Sequence, residues 1–179
     1  TGGNNTAIGA FASDANTSGT NNAAIGFNAL GENTTGSRNT ALGQAALNFN
    51  TTANNNTAIG KGCMVTNTTG ENNTSAGMQS LEANTTGSNN AAFGVNALLS
   101  NTTASNNTAV GRSALQNTTT AEDNSAVGYY ALASNTTGAS NTAVGEQALY
   151  ANTTASNNTA LGRLALFQNP TGTGNVAVG

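Results

Sequence analysis

The chain has 179 residues and a net charge of −3, with only 6% charged and 4% aromatic residues and no His or Trp, whereas average globular domains carry about 25% charged residues. The missing His and few carboxylates disfavour acid–base and metal chemistry, and four scattered Lys and Arg residues do not make a nucleic-acid footprint. No apolar run reaches the roughly 20 residues of a membrane span, so we expect no enzyme, cofactor, metal site, nucleic-acid partner or membrane span.

A glycine recurs every 17 residues along the whole chain, without an insertion or deletion. We call this glycine slot 0 and count onward to slot 16, just before the next glycine. The slot 0 residues are Gly9, Gly26, Gly43, Gly60, Gly77, Gly94, Gly111, Gly128, Gly145, Gly162 and Gly179. So regular a period indicates stacked repeats, each one a single structural unit.

Within each repeat, Ala-Leu at slots 3 and 4 comes first, Asn-Thr-Thr at slots 7 to 9 follows, and Asn-Thr-Ala-aliphatic at slots 13 to 16 ends the unit. Seventeen residues are too few for a helix pair, which takes about 33. The pattern predicts an all-β parallel β-solenoid (β-roll) of about ten and a half 17-residue coils over residues 1–179, as one continuous array. We expect two short strands, at slots 14 to 16 and 2 to 4, joined by a polar turn. A helical turn at slots 1 to 6 is the alternative to the second strand.

Stacked coils bring identical residues into columns. The slot 13 column is expected to form an amide ladder, in which each side chain bonds to the one above. Its members are Asn5, Asn22, Asn39, Asn56, Asn73, Asn90, Asn107, Asn124, Asn141, Asn158 and Asn175. The slot 4 Leu and slot 16 Ile/Val columns are expected to form the dry core.

This core is thin, so we expect the chain to associate with itself, laterally as a trimer or end to end as a filament. The array begins at slot 9 and ends at slot 0, and only Pro170 at slot 8 departs from the repeat in the manner of a cap. The expectation is a segment of a longer fibre, or ends that the next subunit covers.

The sequences NNTAIG at 4–9, NTALG at 39–43 and NTAVG at 107–111 resemble the head repeats of trimeric autotransporter adhesins. The longer unit NTAVGEQALYANTTASNNTALG at 141–162 is similar to repeats of phage tail-fibre-like and bacterial surface-fibre proteins. The adhesin heads have a shorter period. The resemblance implies a trimeric parallel β-roll in an extracellular fibre, at the cell or virion surface.

Asn-x-Ser/Thr sequences recur in the polar turn and are candidate glycosylation sites. They include Asn33, Asn50, Asn67, Asn84, Asn101, Asn135 and Asn152. The alternative is that Asn and Thr are there because they suit turns. The Thr columns at slots 8 and 9 also raise ice binding, although adjacent Thr residues would point to opposite faces of a strand.

Two further features stand out against the repeat. Cys63 replaces the usual slot 3 Ala and is expected to be a small core residue. The aromatic residues fall on variable, outward slots, where they would contact a partner or lie singly on the surface. We expect a structural subunit of an extracellular fibre, self-associating through stacked coils. The alternative is an adhesin or phage tail-fibre shaft that binds surface glycans or a host receptor.

Overall fold

The computed structural model describes residues 2–179, which form a parallel β-solenoid with one short strand in each coil. All eleven strands belong to one parallel sheet in sequence order, and within the described residues there is no helix. The strands are β1 (Thr6–Ile8), β2 (Ala23–Ile25), β3 (Thr40–Leu42), β4 (Thr57–Ile59), β5 (Thr74–Ala76), β6 (Ala91–Phe93), β7 (Thr108–Val110), β8 (Ser125–Val127), β9 (Thr142–Val144), β10 (Thr159–Leu161) and β11 (Val176–Val178).

The register of the sheet matches the sequence period. Ala41 of β3 pairs with Ala58 of β4, and the same offset holds at every other step. The predicted β-solenoid of 17-residue coils is therefore confirmed. With parallel strands about 4.8 Å apart, the sheet is a rod face about 48 Å long.

The prediction of a second strand at slots 2 to 4 is wrong, and so is the alternative prediction of a helical turn there. These residues form tight turns instead, in which the Ala29 N–H donates to the Gly26 carbonyl and the Asn33 N–H to the Leu30 carbonyl, both at 3.3 Å. Slots 2 and 4 are in the left-handed region, as at Asn28 (φ 55°) and Leu30 (φ 50°). A regular strand or right-handed helix excludes that conformation.

These turns are also hydrogen-bonded from coil to coil. The Leu30 N–H donates to the Ala46 carbonyl at 3.0 Å, and the Thr34 N–H donates to the Thr51 carbonyl at 2.9 Å. Turns that lacked such partners would leave buried backbone groups unsatisfied. The whole coil therefore stacks through its backbone, not the strand alone.

The interior of the coil has an apolar half and a polar half. Ala at slot 15, Ala at slot 3 and Leu at slot 4 fill the apolar half, as with the fully buried Ala41, Ala46 and Leu47. Slots 7, 10 and 13 fill the polar half, as with the buried Asn50, Ala53 and Asn56. The expectation that slot 16 forms core is wrong, because side chains alternate along a strand and slot 15 already points inward.

The slot 0 glycine is required by the stacking. Gly60 has φ +135°, and a Cβ placed on it would lie 2.6 Å from the carbonyl oxygen of Gly77 in the next coil. Any other residue at this corner meets both backbone strain and a backbone atom that cannot move aside.

Candidate functional site

The outward face of the sheet carries a row of large apolar side chains, which we call the apolar row. Its members are the slot 16 residues Ile8, Ile25, Leu42, Ile59, Phe93, Val110, Val127, Val144, Leu161 and Val178, and Ala76 takes the slot in β5. Away from the ends, exposure reaches 45% at Ile59 and 48% at Leu161. The row is continuous because every strand contributes one residue in register, beside a row of mostly Thr at slot 14.

The slot 13 asparagines do form a column, but with a bonding pattern different from the predicted one. The backbone N–H of Asn39 donates to the Oδ1 of Asn22 at 2.9 Å, and the Asn39 Nδ2 donates to the Ala53 carbonyl at 2.8 Å. The backbone-to-Oδ1 bond repeats between all consecutive members at 2.9–3.0 Å. The column is therefore held by hydrogen bonds between side chains and backbone, and bonds between two side chains occur only near Asn141.

The amide ladder expected at slot 13 occurs at slot 7. The Asn50 Nδ2 donates to the Oδ1 of Asn33 at 2.9 Å, and the Asn67 Nδ2 donates to the Oδ1 of Asn50 at 3.0 Å. Each of these Nδ2 groups also donates to the slot 10 carbonyl of its own coil, as Asn50 does to Ala53 at 3.1 Å. Both hydrogens of the amide are thereby used, one toward the previous coil and one within its own coil.

This ladder contains the candidate glycosylation sites. The side chains of Asn33, Asn50, Asn67, Asn84, Asn101, Asn135 and Asn152 are fully buried. A glycan bonds to Nδ2, so it would have to displace the neighbouring coil and break the ladder. The fold therefore opposes glycosylation at these seven positions, and favours the view that Asn and Thr serve the coil itself.

The ladder is incomplete at two places. Near its C-terminal end the Asn169 Nδ2 donates to the Gly172 carbonyl and not to Asn152, whose Oδ1 is left buried without a partner.

The other gap is a coil in the middle of the ladder. Thr118 occupies slot 7 there, and its hydroxyl donates to the Asn135 carbonyl at 3.3 Å instead of reaching the previous coil. The Oδ1 of Asn101 is left buried without a hydrogen-bond partner. An unsatisfied buried acceptor is costly, so this coil is a local weak point of the rod.

The threonine columns of the polar turn differ in their roles. At slot 8 the hydroxyl bonds within the stack: the Thr34 Oγ1 donates to the Thr51 carbonyl at 3.0 Å. At slot 9 the side chains are exposed, as at Thr35 and Thr52. Only one of the two adjacent columns therefore faces solvent, which gives no paired array of free hydroxyls for ice binding.

Cys63 is a core residue, as expected. Its side chain is fully buried, and its Sγ donates to the Ser75 carbonyl at 3.4 Å. Burial raises the pKa of this thiol from its ordinary 9.0 to about 11. Because the folded pKa lies above the unfolded one, this contribution to stability is complete below pH 9 and is lost as the pH rises through about 11. The thiol is therefore inert at neutral pH.

The aromatic residues are not spread evenly along the rod. Tyr129, Tyr130, Tyr150 and Phe167 lie in three consecutive coils and touch one another in sequence, a cluster we call the tyrosine patch. Ring centroids are 4.4 Å apart for Tyr129–Tyr130, 6.1 Å for Tyr130–Tyr150 and 5.3 Å for Tyr150–Phe167. The patch contains every tyrosine in the chain.

No cavity opens among residues 2–179. The described part of the chain likewise holds no group of three His, Cys, Asp or Glu side chains suited to a metal ion. None of it forms a helix long and apolar enough to cross a membrane. Comparisons with protein-family models, with curated proteins and with solved structures find no match for the chain. The surfaces of the rod are therefore its candidate sites.

The apolar row was missed from the sequence, although a signal for it exists. Slot 15 is always Ala or Ser, whereas slot 16 ranges in size from Ala76 to Phe93. A close-packed interior does not tolerate such a range at one repeated position. Constancy of side-chain volume marks the inward slot, and hydrophobicity alone does not.

Proposed function

We propose that the chain is a structural subunit of an extracellular fibre and that it associates laterally with further copies of itself. The apolar row carries this proposal. It runs along the whole sheet, and its side chains stay about 40% exposed in the middle of the rod, as at Phe93 (41%) and Val127 (39%). Monomeric soluble proteins rarely expose a continuous apolar stripe of this length.

A second copy of the chain is the partner that fits the row best. The row repeats at the strand spacing, about 4.8 Å, so an identical rod laid parallel to it meets an apolar residue at every step. Identical surfaces that meet around an axis give closed symmetric assemblies. Lateral packing is therefore favoured over end-to-end stacking as the use of this face, in agreement with the trimeric β-rolls that the NTAIG-like sequences resemble.

The extracellular location rests on the same resemblance and on the composition. Charges are rare and Asn, Thr and Gly dominate, which suits a stack in which each residue must tolerate its own copy above and below. Like charges placed opposite each other in neighbouring strands repel. A shaft needs length and regularity, and the repeated coil supplies both.

The test is to charge the row in three separated coils. The triple variant Ile59→Lys, Val110→Lys, Leu161→Lys is compared with Thr52→Lys, Thr103→Lys, Thr154→Lys, which places the same charges in the same coils at the exposed slot 9. We expect the wild-type chain and the Thr variant to sediment as oligomers, and the row variant to sediment as a monomer at the same concentration.

Circular dichroism shows whether both variants keep the fold. A wild-type chain that stays monomeric at high micromolar concentration contradicts lateral association. So does a row variant that folds and still forms the same oligomer. The number of subunits follows from the sedimentation mass, which also separates a closed trimer from an open filament.

A receptor-binding shaft is the second candidate function, and the tyrosine patch is the observation that favours it. A plain filament has no need to concentrate its aromatic residues in one place. Aromatic side chains are enriched in recognition surfaces, where they provide rigid contact area. The two roles are compatible, because the row and the patch involve different slots of the coil.

A further inference from the structure

The tyrosine patch is an addition to the repeat and not a requirement of it. Its residues occupy slots 1, 2 and 5, where other coils hold residues as different as Lys61, Gly62 and Asn48. The coil therefore folds without aromatic residues at these slots. A cluster that the fold does not need calls for another explanation.

The backbone at Tyr130 shows that the patch is built on an unchanged coil. Tyr130 adopts φ 55° at slot 2, and the same slot is left-handed in the other coils, as at Asn96 (φ 59°) and Leu164 (φ 61°). The conformation belongs to the repeat, so the tyrosine adds its ring without altering the backbone. The centroid of that ring lies 4.4 Å from that of Tyr129 and 6.1 Å from that of Tyr150.

A cation lies beside the aromatic rings. The Arg112 guanidinium is 5.9 Å from the ring centroid of Tyr129. Among residues 2–179 the one salt bridge joins Arg163 and Glu146 at 3.3 Å, so Arg112 has no carboxylate partner in the chain. Its forked N–H donors are therefore free for a carboxylate from outside.

We propose that the tyrosine patch binds an acidic saccharide. The apolar C–H face of a sugar ring would stack on Tyr129, which is 43% exposed, and the sugar carboxylate would pair with Arg112. The patch and Arg112 together span about 14 Å along the rod, three coil spacings, so they suit an extended chain of sugars better than a compact ligand. This inference rests on the receptor-binding role and does not depend on lateral association.

The chain supplies its own reporter for this binding. It has no Trp, and its three tyrosines all lie in the patch, so intrinsic tyrosine fluorescence reports on the patch alone. An array of oligosaccharides containing uronic or sialic acid, each printed with its neutral counterpart, identifies a probe. Titration of that probe then measures the dissociation constant from the fluorescence change.

Matched variants at the same slot define the site. Arg112→Gln and Tyr129→Ala are compared with Lys61→Gln and Phe27→Ala, which alter slot 1 in distant coils. We expect binding of acidic members only, at least ten-fold weaker binding in each patch variant, and unchanged binding in the controls. Circular dichroism confirms that all four variants fold.

Three results overturn the proposal: no acidic oligosaccharide binds, the neutral counterparts bind equally well, or the control variants lose binding to the same extent. Sedimentation of the same samples keeps this test separate from the fibre role. Patch variants that stay oligomeric but lose the sugar support the patch alone. If the patch variants sediment as monomers, the patch contacts a second copy of the chain, and the proposal of saccharide binding is wrong.

Discussion

At the scale of single residues, the core leucines adopt a backbone conformation that leucine ordinarily avoids. Leu47, Leu98 and Leu149 have φ between 51° and 52°. The left-handed region costs an L-residue about 1–2 kcal/mol, whereas full burial of a Leu side chain stabilises by about 1.5–3 kcal/mol. The free energy gained by burying the side chain therefore exceeds the cost of the left-handed backbone, but only when the neighbouring coils are present to bury the side chain.

The interrupted amide ladder gives a prediction at this scale. In Thr118→Asn the new Nδ2 can donate to the orphaned Oδ1 of Asn101, and the new Oδ1 can accept from the Nδ2 of Asn135. We expect the free energy of unfolding to rise by about 1–2 kcal/mol, the worth of one or two net hydrogen bonds. Chemical denaturation measures the change.

The matched control makes the opposite substitution in an intact part of the ladder. Asn84 donates to Asn67 at 2.7 Å and accepts from Asn101 at 2.8 Å, so Asn84→Thr is expected to lower the free energy of unfolding by about 1–3 kcal/mol. Equal stability in both variants would mean that the slot 7 ladder does not stabilise the rod.

At the scale of elements, the sequence predicts the strand at slots 14 to 16 but not the turns at slots 2 to 4. The strand follows from Thr and Ile/Val at a fixed interval. The turns do not, because Ala and Leu locally favour a helix or an apolar strand. What decides their conformation is the hydrogen bond from each slot 4 N–H to the next coil, as from Leu98 to Ala114 at 3.0 Å.

The candidate surfaces, too, could be predicted from the sequence only in part. The asparagine columns can be predicted, because the repeat period and the residue type at each slot are properties of the sequence itself. The direction in which slot 16 points depends on strand alternation within a coil whose turns are not predictable. The tyrosine patch joins residues up to 38 positions apart, from Tyr129 to Phe167, and becomes a cluster only when the coils stack.

The corner glycine gives the prediction at the scale of elements. Gly60→Ala should lower the free energy of unfolding by about 1–3 kcal/mol from backbone strain, and by more once the contact with Gly77 is counted. The control is Gly62→Asn, two residues along, where φ is +67° and the nearest atoms to a new Cβ are side-chain atoms at 3.6 Å or more. Thermal unfolding followed by circular dichroism should show a lower melting temperature for Gly60→Ala alone. An unchanged melting temperature in Gly60→Ala would mean that the corner relaxes and does not need glycine.

At the scale of the whole molecule, each coil contacts only its neighbours, so stability adds up from coil to coil. Deletion of 44–60 removes one whole coil and joins Gly43 to Lys61 in the same slot order. We expect this variant to fold, with a rod shorter by about 4.8 Å. Small-angle X-ray scattering measures the length, and circular dichroism measures the fold.

Deletion of 44–52 is the control, because it leaves a coil too short to bring the next strand alongside. Parallel strands need a crossover of a dozen or more residues, and five remain between the end of β3 at Leu42 and the start of β4 at Thr57. This variant should lose strand pairing between β3 and β4 and unfold at a lower temperature. Equal melting temperatures for the two deletion variants would contradict a stack built of whole coils.

The hydrogen bonds between coils lie along the axis of the rod, and this determines how the molecule responds to tension. A force that pulls the ends apart acts on the bonds of one coil at a time, because the covalent chain connects each coil only to the next. Each coil that detaches releases its 17 residues, about 50 Å of slack, while the remaining coils stay folded. Such a tether lengthens in equal steps under load, and its weakest junctions are those that leave the Oδ1 atoms of Asn101 and Asn152 without a ladder bond.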